Sequence, residues 1–126
     1  MSYSTDSLMA KVLKNSEDVM FIADGRYFLD ANKAALEMFE VSSKEAFLQM
    51  HPAAFSPEFQ EDGQSSYLKA NEMVSIALKK GFHRFDWLHK TIEDEPLDVE
   101  VTLTIFEDEG RDLSFVQIRS LSSFIR

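Results

Sequence analysis

The chain of 126 residues contains no cysteine. Disulfides, thiolate metal sites, iron–sulfur clusters, cysteine nucleophiles and cysteine photo-adducts are excluded with it. Glycine is scarce at four residues, and none belongs to a phosphate-cradling loop. No Gly-x-Ser-x-Gly elbow occurs; Ser42, Ser43, Ser56, Ser65 and Ser66 sit at expected caps and turns. Basic residues are few. Thirteen Lys and Arg against 22 Asp and Glu leave a net charge of −9 at pH 7. Such a surface repels phosphate backbones and anionic headgroups, so no nucleic-acid partner is expected. No apolar run approaches the roughly 20 residues of a membrane-crossing helix, so no membrane insertion is expected. The opening Met1-Ser2-Tyr3-Ser4-Thr5-Asp6 lacks the basic and apolar regions of a signal peptide, and the expected location is cytoplasmic. What the chain does have is 44% hydrophobic residues, 11 of them Phe, enough for one core in one domain.

The apolar period changes along the chain, and the changes outline an architecture. Leu8, Met9, Val12 and Leu13 form one stripe of an amphipathic helix over 5–17, with Thr5 or Asp6 as its cap. Two apolar runs at 19–23 and 26–30 flank Asp24-Gly25, a strong hairpin signal. Ala34, Ala35, Met38 and Phe39 then follow helical spacing. Ser42 with Glu45 reads as a capping box for a short helix closed by Pro52. Residues 51–63 are irregular, with room for one helical turn. A long helix spans 66–80, capped by Ser65 or Ser66 and ended by Gly81. After Gly81 the period is 2: strands are expected at 82–90, 97–106 and 113–121, joined by short acidic turns into an antiparallel meander. A lone two-stranded hairpin is marginal, so the first pair must join the last three strands in one sheet. The fold class is α+β: a five-stranded antiparallel sheet with helices packed on one face, plus an N-terminal amphipathic helix.

That order resembles a PAS sensor domain over about residues 17–121. The resemblance rests on Asp24-Gly25 and on Asn32-Lys33-Ala34-Ala35 followed by Met38-Phe39. Ser42-x-x-Glu45, His51-Pro52 with Ser56-Pro57, Gln60, Asp62-Gly63 and Ser65-Ser66, His83–Trp87 and Asp98–Thr104 continue it. Two positions depart from the family pattern. Glu40 stands where glycine is usual, so a turn needing positive φ there is strained or reshaped. Arg119-Ser120-Leu121-Ser122-Ser123 replaces the usual Asp-Ile-Thr ending that couples relatives to an output helix. The resemblance implies a bacterial sensory and dimerising module, not an enzyme. It divides the chain into an N-terminal flanking helix (1–18), the PAS domain (19–121) and the start of a linker (122–126) to a missing effector. A diguanylate cyclase is the first expectation for that effector, by analogy; a histidine kinase or chemoreceptor are the others.

Each candidate chemistry has a plainer reading. His83 and His89 share parity on one strand, about 20 Å apart, too far to chelate one ion. His51 precedes a proline in a loop, and no metal site is expected. No cofactor is expected. Haem is disfavoured because the 66–80 helix has no histidine, and FAD because Phe85 and Trp87 fill a core equally well. The acidic groups 93–95 and 107–109 solvate hairpin turns and lack the spacing of a calcium loop.

What remains is a pocket between sheet and helices, for which the expected residues are Asn32, Phe39, Met50, Phe55, Tyr67, Met73, Phe85, Trp87, Val101, Leu103 and Gln117. Asn32 and Gln117 are its polar groups, although Asn32 also fits a helix cap. Leu113 and Phe115 on one face of the last strand, and Val116 and Ile118 on the other, call for cover on both. A homodimer is therefore expected, with Leu8, Met9, Val12, Leu13, Val116 and Ile118 at its interface. The functional expectation is a sensor of a small-molecule signal that passes its state to a separate effector. A ligand-free interaction module is the alternative, and a small cone-shaped α+β enzyme a remote one.

Overall fold

The computed structural model describes residues 8–121. The expected caps Thr5 and Asp6 and the linker 122–126 lie outside the described residues, as does the Met9 side chain. Helix α1 covers Leu8–Asn15, and strands β1 (Val19–Ala23) and β2 (Phe28–Ala31) follow. Helices α2 (Lys33–Phe39) and α3 (Lys44–Leu48), a 3-10 turn at Pro52–Phe55 and helix α4 (Ser66–Lys80) cross between the two halves of the sheet. Strands β3 (Phe82–Lys90), β4 (Pro96–Asp108) and β5 (Arg111–Ser120) complete it. All pairings are antiparallel, in the order β2-β1-β5-β4-β3. The first hairpin joins the meander through β1 and β5, where Phe21 lies opposite Val116 and Val19 opposite Ile118.

The local chemistry explains the turns, and it moves several expected boundaries. The first hairpin is not a two-residue turn. Residues 24–27 form the connection, and the Asp24 carboxylate accepts the amides of Arg26 and Tyr27, each at 2.9 Å. Burial works to raise the Asp24 carboxyl, but those two amides and the Arg111 guanidinium outweigh it and hold the group below its ordinary range. The second strand therefore starts at Phe28, not at 26. Ser43, one residue after the expected Ser42, caps α3 by accepting the Ala46 amide at 3.1 Å, so the Ser42–Glu45 box does not form. Pro52 does not close α3; it opens the 3-10 turn, where a missing N–H costs nothing. β4 runs on through Glu107 and Asp108, leaving Glu109-Gly110 as a two-residue turn with φ positive at both positions.

Asn32 binds the first hairpin to α1's exit. Its Oδ1 accepts the Ala35 amide at 3.0 Å, capping α2, and the Met20 amide at 3.2 Å. Its Nδ2 donates to the Asp18 carbonyl at 2.6 Å. At the other end of α2, Glu40 takes φ 62° and ψ 39°. The left-handed turn that glycine usually supplies is thus kept, with the strain of a side chain in that region.

The two sheet faces carry separate cores. Phe21, Val99, Val101, Leu103, Val116 and Ile118 point toward α2–α4 into the main core. Met20, Ile22 and Leu113, with Leu29, Phe106 and Phe115 around them, pack on the opposite face against Leu13 of α1. The cover expected for the last strand is thus supplied by the chain's own helix. The assignment of Val116 and Ile118 to an interface is corrected: both are buried on the side covered by α2–α4, because Val116 lies directly opposite Phe21, Ile118 opposite Val19, and paired residues share a face.

Candidate functional site

A cavity of about 410 Å³ opens between α4, the inner face of β3–β5 and the segment 51–58. Its sheet wall is built from alternate residues: Phe85 and Trp87 of β3, Val101 and Leu103 of β4, and Val116 of β5, joined by Phe21 of β1. Its helix wall is Ser66, Ala70, Met73 and Val74, the i, i+4, i+7, i+8 stripe of α4. Tyr67, 73% exposed, stands at the rim with Gly25 of the first hairpin.

The segment 51–65 forms the remaining wall, held by its own hydrogen bonds. β3 is an edge strand, so the outward backbone groups of Leu88 have no strand partner. The Gln60 amide takes that place: Oε1 accepts the Leu88 N–H at 2.8 Å and Nε2 donates to the Leu88 carbonyl at 3.1 Å. Nε2 also donates to Ser66 Oγ at 2.8 Å, and the Ser66 amide donates to the Glu58 carbonyl at 2.9 Å. Nearby, Trp87 Nε1 donates to Ser56 Oγ at 3.0 Å, and His89 Nδ1 donates to the Phe55 carbonyl at 2.8 Å. Burial pushes the His89 imidazolium down to about 4, against the Phe55 bond, which raises it. His89 is therefore neutral near pH 7, with its proton on Nδ1. Asp62, below the start of α4, is held down at about 2, chiefly by the hydrogen bond from Lys69 Nζ at 2.8 Å and next by the Gln64 amide.

Of the residues expected around a pocket, Tyr67, Met73, Phe85, Trp87, Val101 and Leu103 line this cavity. Phe39 and Phe55 do not; they stack with Phe21, Phe28 and Phe47 in a filled aromatic cluster beside it. Met50 packs against the same core and does not line the cavity. Asn32 is consumed by its cap and strand bonds. Gln117 is on the other side of the sheet, in a surface groove with Arg84, Glu100, Thr102 and Arg119, because its odd parity on β5 opposes that of Val116. The polar lining instead includes His51, Ser56, Ser66, Asn71 and His89. A sequence signal existed for four of these. His89 continues the parity of Phe85 and Trp87, and His51, Ser56 and Ser66 belong to motifs of the resemblance; the contacts that bring Ser56 and His89 together join residues about thirty positions apart.

Among the described residues no group of three or more His, Cys, Asp or Glu is arranged to hold a metal ion, and no helix is long and apolar enough to cross a membrane.

The sequence pattern of the PAS domain family matches residues 7–73, which is more than half of the chain. Solved PAS structures share the fold. The PAS domain of a two-component sensor histidine kinase is 23% identical, with a TM-score of 0.69 over 89% of this chain and 92% of that one. The Rhodobacter sphaeroides LOV protein is 17% identical, with a TM-score of 0.71 over 90% of this chain and 65% of that one. The PAS domain of a LuxR-family transcriptional regulator from Burkholderia thailandensis, solved in complex with ethanol, is 12% identical, with a TM-score of 0.70 over 90% of this chain and 97% of that one. No curated protein matches the chain. With the family pattern matched and the sheet order, helices and cavity in place, the chain belongs to the PAS domain family.

Proposed function

We propose that this chain is a non-catalytic sensory module whose cavity takes a small molecule and whose state is read by an effector outside the sequence. PAS domains are typically sensory, and the observation that carries the reading is the cavity itself. About 410 Å³ lies within the range of small-molecule sites, and its wall is apolar with a few polar groups held in place by backbone bonds. Occupancy would act on the inner residues of β3, β4 and β5 and on the Gln60 latch, biasing the sheet between two arrangements. A ligand shifts that balance only by its differential affinity for the two.

Dimerisation through α1 is part of the proposal. Leu13 turns into the chain's own outer core, while Leu8 and Val12, 79% and 48% exposed, share a second stripe and stay uncovered. This stripe, with the outer sheet face, is the proposed contact with a second copy. A cytoplasmic location, a C-terminal effector and the first choice of a diguanylate cyclase remain proposals by analogy. FAD and haem are disfavoured as occupants, since no Lys or Arg among the described lining residues would meet a pyrophosphate or a propionate.

Native mass spectrometry of freshly purified protein tests both halves. A dimer mass, and a retained small molecule or a dose-dependent rise in melting midpoint during ligand screening, is the expected result. A monomer refutes the α1 contact. A flat screen on a dimer favours the ligand-free interaction module, and a saturable Soret band with haemin refutes the cofactor-free reading.

A further inference from the structure

Two imidazoles line the cavity, and the backbone sets their tautomers in opposite senses. His51 caps the 3-10 turn: its Nδ1 accepts the Ala53 amide at 3.0 Å, so that nitrogen carries no proton and the neutral ring bears its hydrogen on Nε2. His89 closes the same turn from the sheet side. Its Nδ1 meets the Phe55 carbonyl, which can only accept, so Nδ1 is the N–H and Nε2 is a bare acceptor. One short turn, Pro52–Phe55, thus engages Nδ1 of both rings and leaves Nε2 of one as a donor and Nε2 of the other as an acceptor, on two residues that line one hollow.

The charge inventory narrows the occupant further. Glu58 is the one acidic group among the described lining residues, and none of them is Lys or Arg. A carboxylate or phosphate entering the hollow would lose its hydration with no cation to meet it. The walls offer Phe21, Phe85, Trp87, Val101 and Leu103, which favour a flat apolar body.

Resting on the sensory-cavity reading, we propose that the occupant is an uncharged, mainly apolar ring system bearing one hydrogen-bond donor and one acceptor, as in a lactam, the donor meeting Nε2 of His89 and the acceptor meeting Nε2–H of His51. The low proton affinity of His89 supports this, because the acceptor stays bare across the physiological range.

The test uses matched bicyclic probes. 2-Quinolone presents a ring N–H beside its carbonyl; coumarin has the same shape and carbonyl, with oxygen replacing the N–H; naphthalene-2-carboxylate has similar size and a negative charge. Trp87 is the sole tryptophan and lines the cavity, so its indole N–H resonance reports occupancy. Leaving the His89 acceptor covered by the bound ring but unmet predicts that 2-quinolone binds about tenfold tighter than coumarin, with the carboxylate weaker than both. His89→Leu should bring the quinolone and coumarin affinities together. His51→Asn, which keeps a capping side chain, should weaken both equally. If the His89 variant does not fold, nitrogen-15 spectra of the wild-type imidazoles decide, with His89 expected on Nδ1–H and His51 on Nε2–H. Equal binding of the two neutral probes, tighter binding of the carboxylate, or reversed tautomers overturns the pairing while leaving a small-molecule cavity standing. No response of Trp87 to any probe at millimolar concentration overturns both.

Discussion

The core on the helix side of the sheet has two halves, one filled and one hollow. In the filled half, α2, α3 and the 3-10 turn each send in a phenyl ring. Phe39, Phe47 and Phe55 meet Phe21 and Phe28 at centroid distances from 4.2 to 6.4 Å. In the hollow half, α4 is the longest of the described helices yet presents Ser66, Ala70, Met73 and Val74 to the sheet. Two aromatic rings of β3 line the sheet there, Ser66 and Ala70 leave the start of the helix thin, and the volume left over is the cavity. Polar bonds compensate for what packing does not supply: Gln60, Ser56 and His89 anchor the loop wall to β3. The filled half gives stability by contact. The hollow half keeps its shape by hydrogen bonding and stays free to hold something else.

Substitutions can break or sharpen that contrast. Phe47→Ala, at a fully buried ring touching four others, should cost about 3–5 kcal/mol in denaturant unfolding. A loss under about 1 kcal/mol would mean that this half is loosely packed as well.

The next effect belongs to His89 in the hollow half. Its folded value of about 4 lies below the ordinary 6.5, so between those values the unfolded chain binds more protons. Its contribution to stability is complete above pH 6.5 and is lost as the pH falls toward 4. Wild type should therefore lose about 2 kcal/mol more than His89→Phe between about pH 7.5 and about pH 5. Parallel pH profiles for the two proteins would show that His89 is not the group responsible.

A smaller change tests the backbone at the edge of the filled half. Glu40→Gly should relieve the left-handed strain and raise stability by about 1 kcal/mol, read from the denaturation midpoint at constant slope. No gain would mean that the Glu40 side chain earns its strained position through contacts.

The smallest change in stability is expected where volume is spare. Ala70→Leu adds bulk that a packed core would resist by about 1–3 kcal/mol; facing the cavity, it should shift unfolding by less than about 1 kcal/mol. The same variant should abolish the Trp87 response to 2-quinolone. A large destabilisation would show that the hollow is not available at that wall.

Much of the fold was legible because it is local. Period-2 patterning marks β3–β5, Gly81 ends α4 with φ 93°, and Ser65 caps it. The boundaries that moved did so through competing side chains: Asp24 reached forward to two amides and lengthened the first turn, and Ser43 won the cap over Ser42. The candidate site was legible by type and less by place. Parity puts Phe85, Trp87, Val101 and Leu103 on one face. It could not say that Gln117 belongs to the opposite face, since β5 is apolar on both. Nor could it show that Phe39 and Phe55 are spent on each other while Ser56 and His89 meet near the cavity.

The order of residues alone determined the elements and the absence of thiol chemistry, because each depends on spacing within a dozen positions or on composition; from those elements, the marginal stability of a lone hairpin and the order of the motifs pointed to the single antiparallel sheet and the family. Tertiary structure alone decided that space remains between α4 and the strands, that α1 docks on its own sheet, and which nitrogen of His89 holds the proton. Those outcomes depend on how volumes and hydrogen-bond partners from distant parts of the chain add up at one point, and no local pattern encodes that sum.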